Sequence, residues 1–503
     1  MIEGVAGALL TFANPQILLM LVSGVLVGAV FSAIPGLTST LALALILPFT
    51  FAMEASAAFV FMIGLFGGGL YGGMLTAIAL NIPGAPGSVA TTFDGHPLYL
   101  KGQGGKAIGL ATVSSVIGGM GSAIILTLAA VQLARIALRF GPPETFALTV
   151  FGMIAVVSIC HDAVKGALCG LFGIFLGIMG VDLFGTFRFN FGMRELISGT
   201  PLLPTVVGLF AMVKVFQSIN DTGKDLKPGN LAKEVPPSIE RMQFPTPREM
   251  KRLMGTFIRG TLIGTFIGFL PGAGGNIAAF TAYNVEKRIS NSPEEFGYGS
   301  LEGLASAETA NNAVPGGSLI PTITLGIPGD QFTAVLLGAF LIHGLPIGPL
   351  LFRDHQDVIY IIFLSTFLMN LVFIPIGFFA SRPIVRIASM RDSVLIPIIA
   401  AFSLSGMYAI ATTVTNMGIG VFFGVVALFM HRYDYPVAPV ILGLILSTLI
   451  EDSLVQSLIM SGGSVMIFVT RPISLLFIAL SLLFVMLPAL RKQAGAGPKK
   501  LKG

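Results

Sequence analysis

Tryptophan is missing from all 503 residues, and only 11% of them carry charge. Cysteine occurs twice, histidine five times and tyrosine eight times. The histidines are scattered without metal-ligand spacing, so no resident metal site is expected. Cys160 and Cys169, nine positions apart, are expected on opposite faces of one helix, so they cannot pair there and indicate no redox compartment. The Gly-x-x-x-x-Gly-Lys-Ser/Thr phosphate loop is lacking, which argues against nucleotide hydrolysis by this chain. Without tryptophan, an interfacial aromatic belt must draw on eight Tyr and forty Phe.

The scarcity of charge is also uneven. Gly4–Met53 is 50 residues without Asp, Glu, Lys, Arg or His, and Ala55–Phe93 is another 39. Ile108–Ala134, Gly260–Val285, Val358–Ser381, Ser393–Met430 and Pro472–Leu490 are further uncharged runs. A crossing needs about 20 apolar residues, so these runs supply about 10–12 crossings. With 54% hydrophobic residues and mean hydropathy +0.88, a soluble globular protein is excluded and an all-α polytopic membrane protein is expected. The net charge of +5 and pI of 9.2 then mark cytoplasmic loops, not affinity for nucleic acid. Met1–Met20 lacks a basic flank and a cleavage site and reads as mature sequence.

Within Ala55–Phe93 the run Asn81-Ile82-Pro83-Gly84-Ala85-Pro86-Gly87-Ser88 interrupts what is otherwise a long apolar helix. Proline removes a donor and glycine admits backbone angles that other residues resist. Broken backbone survives at membrane depth only against protein or a wet cavity. A binding site is therefore expected there.

The pattern recurs. Gly24, Gly28, Pro35 and Gly36 return 236 positions later as Gly260, Gly264, Pro271 and Gly272, and Ile82-Pro83-Gly84 returns as Ile327-Pro328-Gly329. Gly95-His96-Pro97 is echoed by Gly344-Leu345-Pro346, Gly152-Met153 by Gly406-Met407, and Pro201, Pro204 and Gly208 by Pro436, Pro439 and Gly443. Paired interrupted segments in two halves point to the binding site of a secondary transporter. The reading divides the chain into 1–216 (first repeat), 217–255 (polar segment), 256–455 (second repeat), 456–490 (terminal membrane segment) and 491–503 (basic tail). The segment and the tail are Lys- and Arg-rich and are placed in the cytoplasm. Arg135 and Arg139 match Arg382, Arg386 and Arg391 in equivalent loops, so an inverted repeat, the favoured arrangement, breaks the basic-residue rule at one of them.

Each candidate site has a plainer alternative. Amides and carbonyls freed at Asn81–Ser88 and Gly326–Thr333 would attract anions and cations, helped by Asn81, Ser88, Thr91, Thr92 and Thr333, or the breaks are packing kinks. Breaks at Pro35-Gly36 and Pro271-Gly272 bring Thr38, Thr40, Gly274 and Asn276 into the candidate set, although close helix packing also explains their glycines. Glu308, Asn311 and Asn312 share a helical face. A carboxylate inside a bundle costs about 2.5–3.5 kcal/mol on insertion scales, so Glu308 couples an ion or is a structural acid satisfied by asparagine donors. Asp330 binds a cation or caps the next helix, and Asp94 is expected at a loop edge. Gly67-x-Gly69-x-x-Gly72 matches a dinucleotide fingerprint but lacks the strand that this motif requires.

The runs Ile34-Pro35-Gly36-Leu37-Thr38, Tyr71-Gly72-Gly73, Asn81–Ser88 with Asp94-Gly95, and Leu270-Pro271-Gly272-Ala273-Gly274 resemble the large membrane subunit of the tripartite tricarboxylate transporters. Glu286-Lys287, Phe296-Gly297, Glu302-Gly303, Glu308 with Asn311-Asn312-Ala313, and Leu325-Gly326-Ile327-Pro328-Gly329 extend the resemblance from about Gly24 to Glu451. Met74 stands where the resemblance leads one to expect serine. What it implies is a multi-pass translocation subunit of the bacterial inner membrane, not an enzyme. A small four-helix membrane subunit and a periplasmic solute-binding protein would be its partners. The cargo would be a carboxylate such as citrate, driven by co-transported Na+ or H+, with no other cofactor, through inverted repeats and re-entrant hairpins. An intramembrane enzyme, which would need a partner base beside Glu308, and a channel are the alternatives.

Overall fold

A computed structural model describes residues 2–34, 36–160, 162–182, 184–192, 196–197, 199–221, 241–388, 392–411 and 413–493. Pro35, Arg391, most of the polar segment (222–240) and most of the basic tail (494–503) lie outside the described residues.

In chain order the first helices are α1 (Ile2–Phe12), α2 (Pro15–Ala33), α3 (Ser39–Thr50), α4 (Ala55–Leu80), α5 (Val89–Leu98), α6 (Gly104–Ala137), α7 (Pro142–Ile159) and α8 (Ala163–Gly177). A hairpin of β1 (Gly180–Val181) and β2 (Phe187–Arg188) follows, then α9 (Leu202–Val207), α10 (Val213–Asp221), α11 (Pro247–Phe269), α12 (Gly274–Ile289), α13 (Leu301–Leu325), α14 (Gln331–Ile342) and α15 (Pro349–Asp354). The last are α16 (Gln356–Pro375), α17 (Ser381–Ile387), α18 (Asp392–Ala411), α19 (Val414–Arg432), α20 (Ala438–Met460), α21 (Ile467–Thr470) and α22 (Pro472–Gln493). The chain is an all-α polytopic membrane protein. Among the described residues, seven helical stretches are long and apolar enough to cross a bilayer, and further apolar helices are shorter, two of them, α3 and α14, because Pro-Gly turns cut the uncharged runs before them. α9 starts at Leu202, after the hairpin of β1 and β2. Cys160 and Cys169 sit at the end of α7 and within α8, not on one helix, and both are free thiols.

Two compact units form, and each joins two separate stretches of the sequence: 1–135 with 203–428, and 136–202 with 429–503. The first holds α4 and α13, whose side chains are buried on every side, as expected of helices in the middle of a bundle. Close approach to their neighbours depends on glycine. A methyl on Gly24 or Gly28 of α2 would strike the carbonyls of Phe61 or Leu65, and one on Gly68 or Gly72 of α4 would strike those of Val25 or Ala29. The contact of α11 with α13 uses the same device, with Gly264 and Gly268 against the carbonyls of Ala310 and Val314 and Gly317 against that of Thr265. Without a hydrophobic drive between helices in lipid, such backbone proximity supplies dispersion contact instead.

The second unit packs α7 and α8 with α20 and α22. Gly173 lies against the Val440 carbonyl and Gly443 against that of Gly170. Two ion pairs brace it: Arg188 with Glu451 at 2.6 Å, and Arg471 with Glu144 at 3.2 Å.

Candidate functional site

Both interruptions are built alike. The first follows α4, which stops at Asn81 in the left-handed region (φ 56°); a short 3-10 turn, Pro86–Ser88, then leads into α5. The second follows α13, which stops at Gly326 (φ 72°) and resumes at α14 behind Asp330. The asparagine accepts this conformation because its short polar side chain tolerates it better than most, and glycine accepts it without steric cost. The Asp330 carboxylate accepts the Thr333 N–H at 2.8 Å, and Thr333 Oγ1 accepts the Asp330 N–H at 3.0 Å. Asp330 therefore caps a helix.

Asn311 stands at the junction of these segments. It is completely buried, and neither atom of its carboxamide has a hydrogen-bond partner. Its Oδ1 occupies the space where a side chain on Gly87, of the first interruption, or on Gly275, beside the second Pro-Gly break, would lie. The Gly275 side-chain direction also points at the Gly87 Cα. The second interruption reaches the same place through the backbone, where the Gly272 N–H donates to the Gly329 carbonyl at 2.8 Å. Pro315, four residues after Asn311 in α13, has no N–H to give the Asn311 carbonyl. Buried polar atoms left unpaired cost about 1–3 kcal/mol each and call for an explanation.

One turn earlier, Glu308 is equally buried yet well partnered. Thr91 of α5 donates to its Oε1, while Ser115 of α6 and Asn312 each donate to Oε2 at 3.2 Å. The Asn312 amide also donates to Ser115 Oγ at 2.9 Å. Glu308 thus ties α5, α6 and α13 together.

The model of the tripartite tricarboxylate transporter TctA family matches residues 18–442. The chain belongs to this family. A relative from Agrobacterium vitis, described as an uncharacterized 52.8 kDa protein in the TAR-I ttuC' 3' region, is 34% identical over 477 residues, 93% of each chain. A second, from the TAR-II ttuC' 3' region of the same organism, is 33% identical over 233 residues, 46% of this chain and 96% of that one. No solved structure matches.

In this TctA family member the predicted residues separate into four groups. Gly87, Gly272, Gly274, Gly329, Asn311, Asn312, Thr91 and Glu308 come together around the middle of α13, with Gly274 nearest Asp330. Gly84 and Ser88 line the α4 side, where Gly84 faces the Ser32 carbonyl and the buried Ser88 hydroxyl, without a partner, faces Gly73. Other side chains serve the backbone: Thr38 caps α3 by accepting the Leu41 N–H, and Thr333 is engaged by Asp330. Asn81, Gly36 and Asn276 are exposed, Thr40 is buried within α3, Pro83 is half-buried, and Pro271, Gly326 and Pro328 are buried turn residues. Pro35 is outside the described residues.

Asp94 departs from its expected place at a loop edge. It is completely buried in α5 and accepts the N–H groups of Gly297, Gly299 and Ser300, each at 2.8 Å. Gly297 and Gly299 both have positive φ, which turns successive amides toward one anion. Three further residues escaped the sequence reading. Ser115 supports Glu308; the Ser32 hydroxyl is buried without a partner beside Gly69; and the Lys214 ammonium stands against Gly36. Only Lys214, a cation at the start of α10 directly after an apolar stretch, was a visible signal.

Proposed function

We propose that this TctA family member is the translocation subunit of a binding-protein-dependent secondary transporter that imports a carboxylate such as citrate, driven by a sodium or proton gradient. The observation that carries the reading is Asn311: a buried, wholly unpaired carboxamide held between glycines of two interrupted segments. An amide N–H and the freed backbone groups around it suit a carboxylate oxygen, and the adjacent carbonyls suit a co-bound cation. Lys214 beside Gly36 adds positive charge on the side of the first break. Glu308, already bridging three helices, is the proposed coupling group, since protonation or a bound cation would alter all three contacts together. The cargo is handed over by a periplasmic solute-binding protein, and a small four-helix subunit completes the complex in the bacterial inner membrane. The two halves act as inverted repeats, which brings both interruptions to the midplane.

Radiolabelled citrate uptake into proteoliposomes containing all three components tests this. Saturable uptake that requires the binding protein and collapses with the sodium or proton gradient is the expected result. Uptake indifferent to the loss of both gradients defeats the coupling, and non-saturable flux without the binding protein would identify a channel.

A further inference from the structure

The loop after α8 carries an aromatic surface that the transport reading does not use. Phe184, Phe187, Phe189 and Phe191 are between 48% and 73% exposed. Phe189 and Phe191 hold left-handed backbone (φ 54° and 49°), a conformation that is an outlier for bulky side chains. The hairpin beneath them is well braced. Val181 pairs with Phe187 and Gly180 with Arg188, Asp182 Oδ1 accepts the N–H groups of Phe184 and Thr186, and Arg188 is tied to Glu451 of α20.

These rings continue a surface of α8. Val164, Leu168 and Leu171, spaced four and three residues apart on one face, are each more than half exposed, and Phe175 follows at the same spacing. In a membrane protein, an apolar stripe along an apolar helix faces lipid. Phe175 packs on Phe189 with ring centroids 5.2 Å apart, so the stripe runs on into the hairpin. Depth follows from the polar groups. A two-stranded hairpin has open edges, which hydrocarbon does not tolerate. Asp182 is half-buried, and the N–H groups of Thr186 and Phe184, with Arg188 nearby, hold its carboxyl below the usual range, so it stays charged. Charge and open backbone belong among the headgroups, while the rings reach the upper acyl chains.

We propose that the Phe184–Phe191 hairpin is an interfacial anchor whose rings insert at the headgroup–acyl boundary of the bilayer, replacing a belt of tryptophan that the chain lacks. The strain at Phe189 and Phe191 is thereby offset by ring contact with lipid.

The lack of tryptophan makes the test direct, because Phe184→Trp introduces the only indole. The full chain carrying that change is reconstituted in vesicles whose phospholipids bear bromine either near the carbonyl end or near the methyl end of the acyl chain. Leu168→Trp serves as the deep reference. The expected result is loss of emission for Phe184→Trp chiefly with shallow bromine, and for Leu168→Trp chiefly with deep bromine. Phe187→Trp repeats the measurement should Phe184→Trp fail to fold. Emission that ignores both lipids and is quenched by aqueous iodide overturns the proposal. So does lipid quenching that disappears once the partner subunits are added, which would make the face a protein interface.

Discussion

Neighbouring asparagines on one helix offer the sharpest test of the site. Asn311 has two buried atoms without partners, whereas in Asn312 only Oδ1 lacks one and the amide nitrogen donates to Ser115, to the Glu308 carbonyl and to the Glu308 carboxylate. Asn311→Ala removes an unsatisfied amide and so recovers about 1–3 kcal/mol of desolvation penalty. Against that stands the small cavity left behind, about 1 kcal/mol. The variant should therefore melt at or above the wild-type temperature. If the amide binds a carboxylate, the lost charge-assisted bond is worth about 1.5–3 kcal/mol. That is roughly a 10- to 100-fold weaker affinity. Asn312→Ala should behave in the opposite sense on stability, losing about 1.5–3 kcal/mol as Glu308 forfeits a donor. Thermal unfolding in detergent and citrate binding to the purified complex read the two quantities separately. An Asn311→Ala protein that melts well below wild type yet binds citrate normally would refute the assignment.

Other outcomes follow from the same contacts. Asp94→Ala strands one buried and two part-buried N–H groups and should cost about 3 kcal/mol, seen as a large fall in melting temperature, with Asp94→Asn intermediate. Gly264→Ala drives a methyl onto the Ala310 carbonyl, where neither backbone can retreat; a loss of about 2–3 kcal/mol is expected, while an exposed helical control such as Gly7→Ala should be neutral or gain up to about 1 kcal/mol. Glu249, held down to about 2 mainly by its hydrogen bond from Lys106, has an ordinary value of 4.5. Because the folded value is the lower one, its stabilisation is complete above pH 4.5 and disappears as pH falls toward 2. The pair is half-buried yet still reached by solvent, which screens it to about 1 kcal/mol, so Lys106→Met should modestly flatten the acid limb of a stability–pH curve.

Much of the architecture follows from chain order alone. Fifty uncharged residues, Gly4–Met53, have no stable place in water, and a proline-glycine pair disposes a helix to end, although Pro315-Gly316 is carried within α13. The expected break at 34–36, the interruptions at 81–88 and 326–330, and the shared face of Glu308 and Asn312 all rest on such local rules, and all are present. Local rules also left Asp330 with two roles, and its contacts with Thr333 show the capping one. What they do not reach is partnership across distance. Asp94 lies about two hundred residues from the amides it binds, and nothing near it in sequence announces them. Thr91 and Ser115 belong to Glu308 only because α5 and α6 fold against α13. Periodicity and turn chemistry act over a few residues and determined the elements. Which buried groups find partners, and which, like Asn311, find none, depends on how glycine lets backbones approach, and that was decided only by packing.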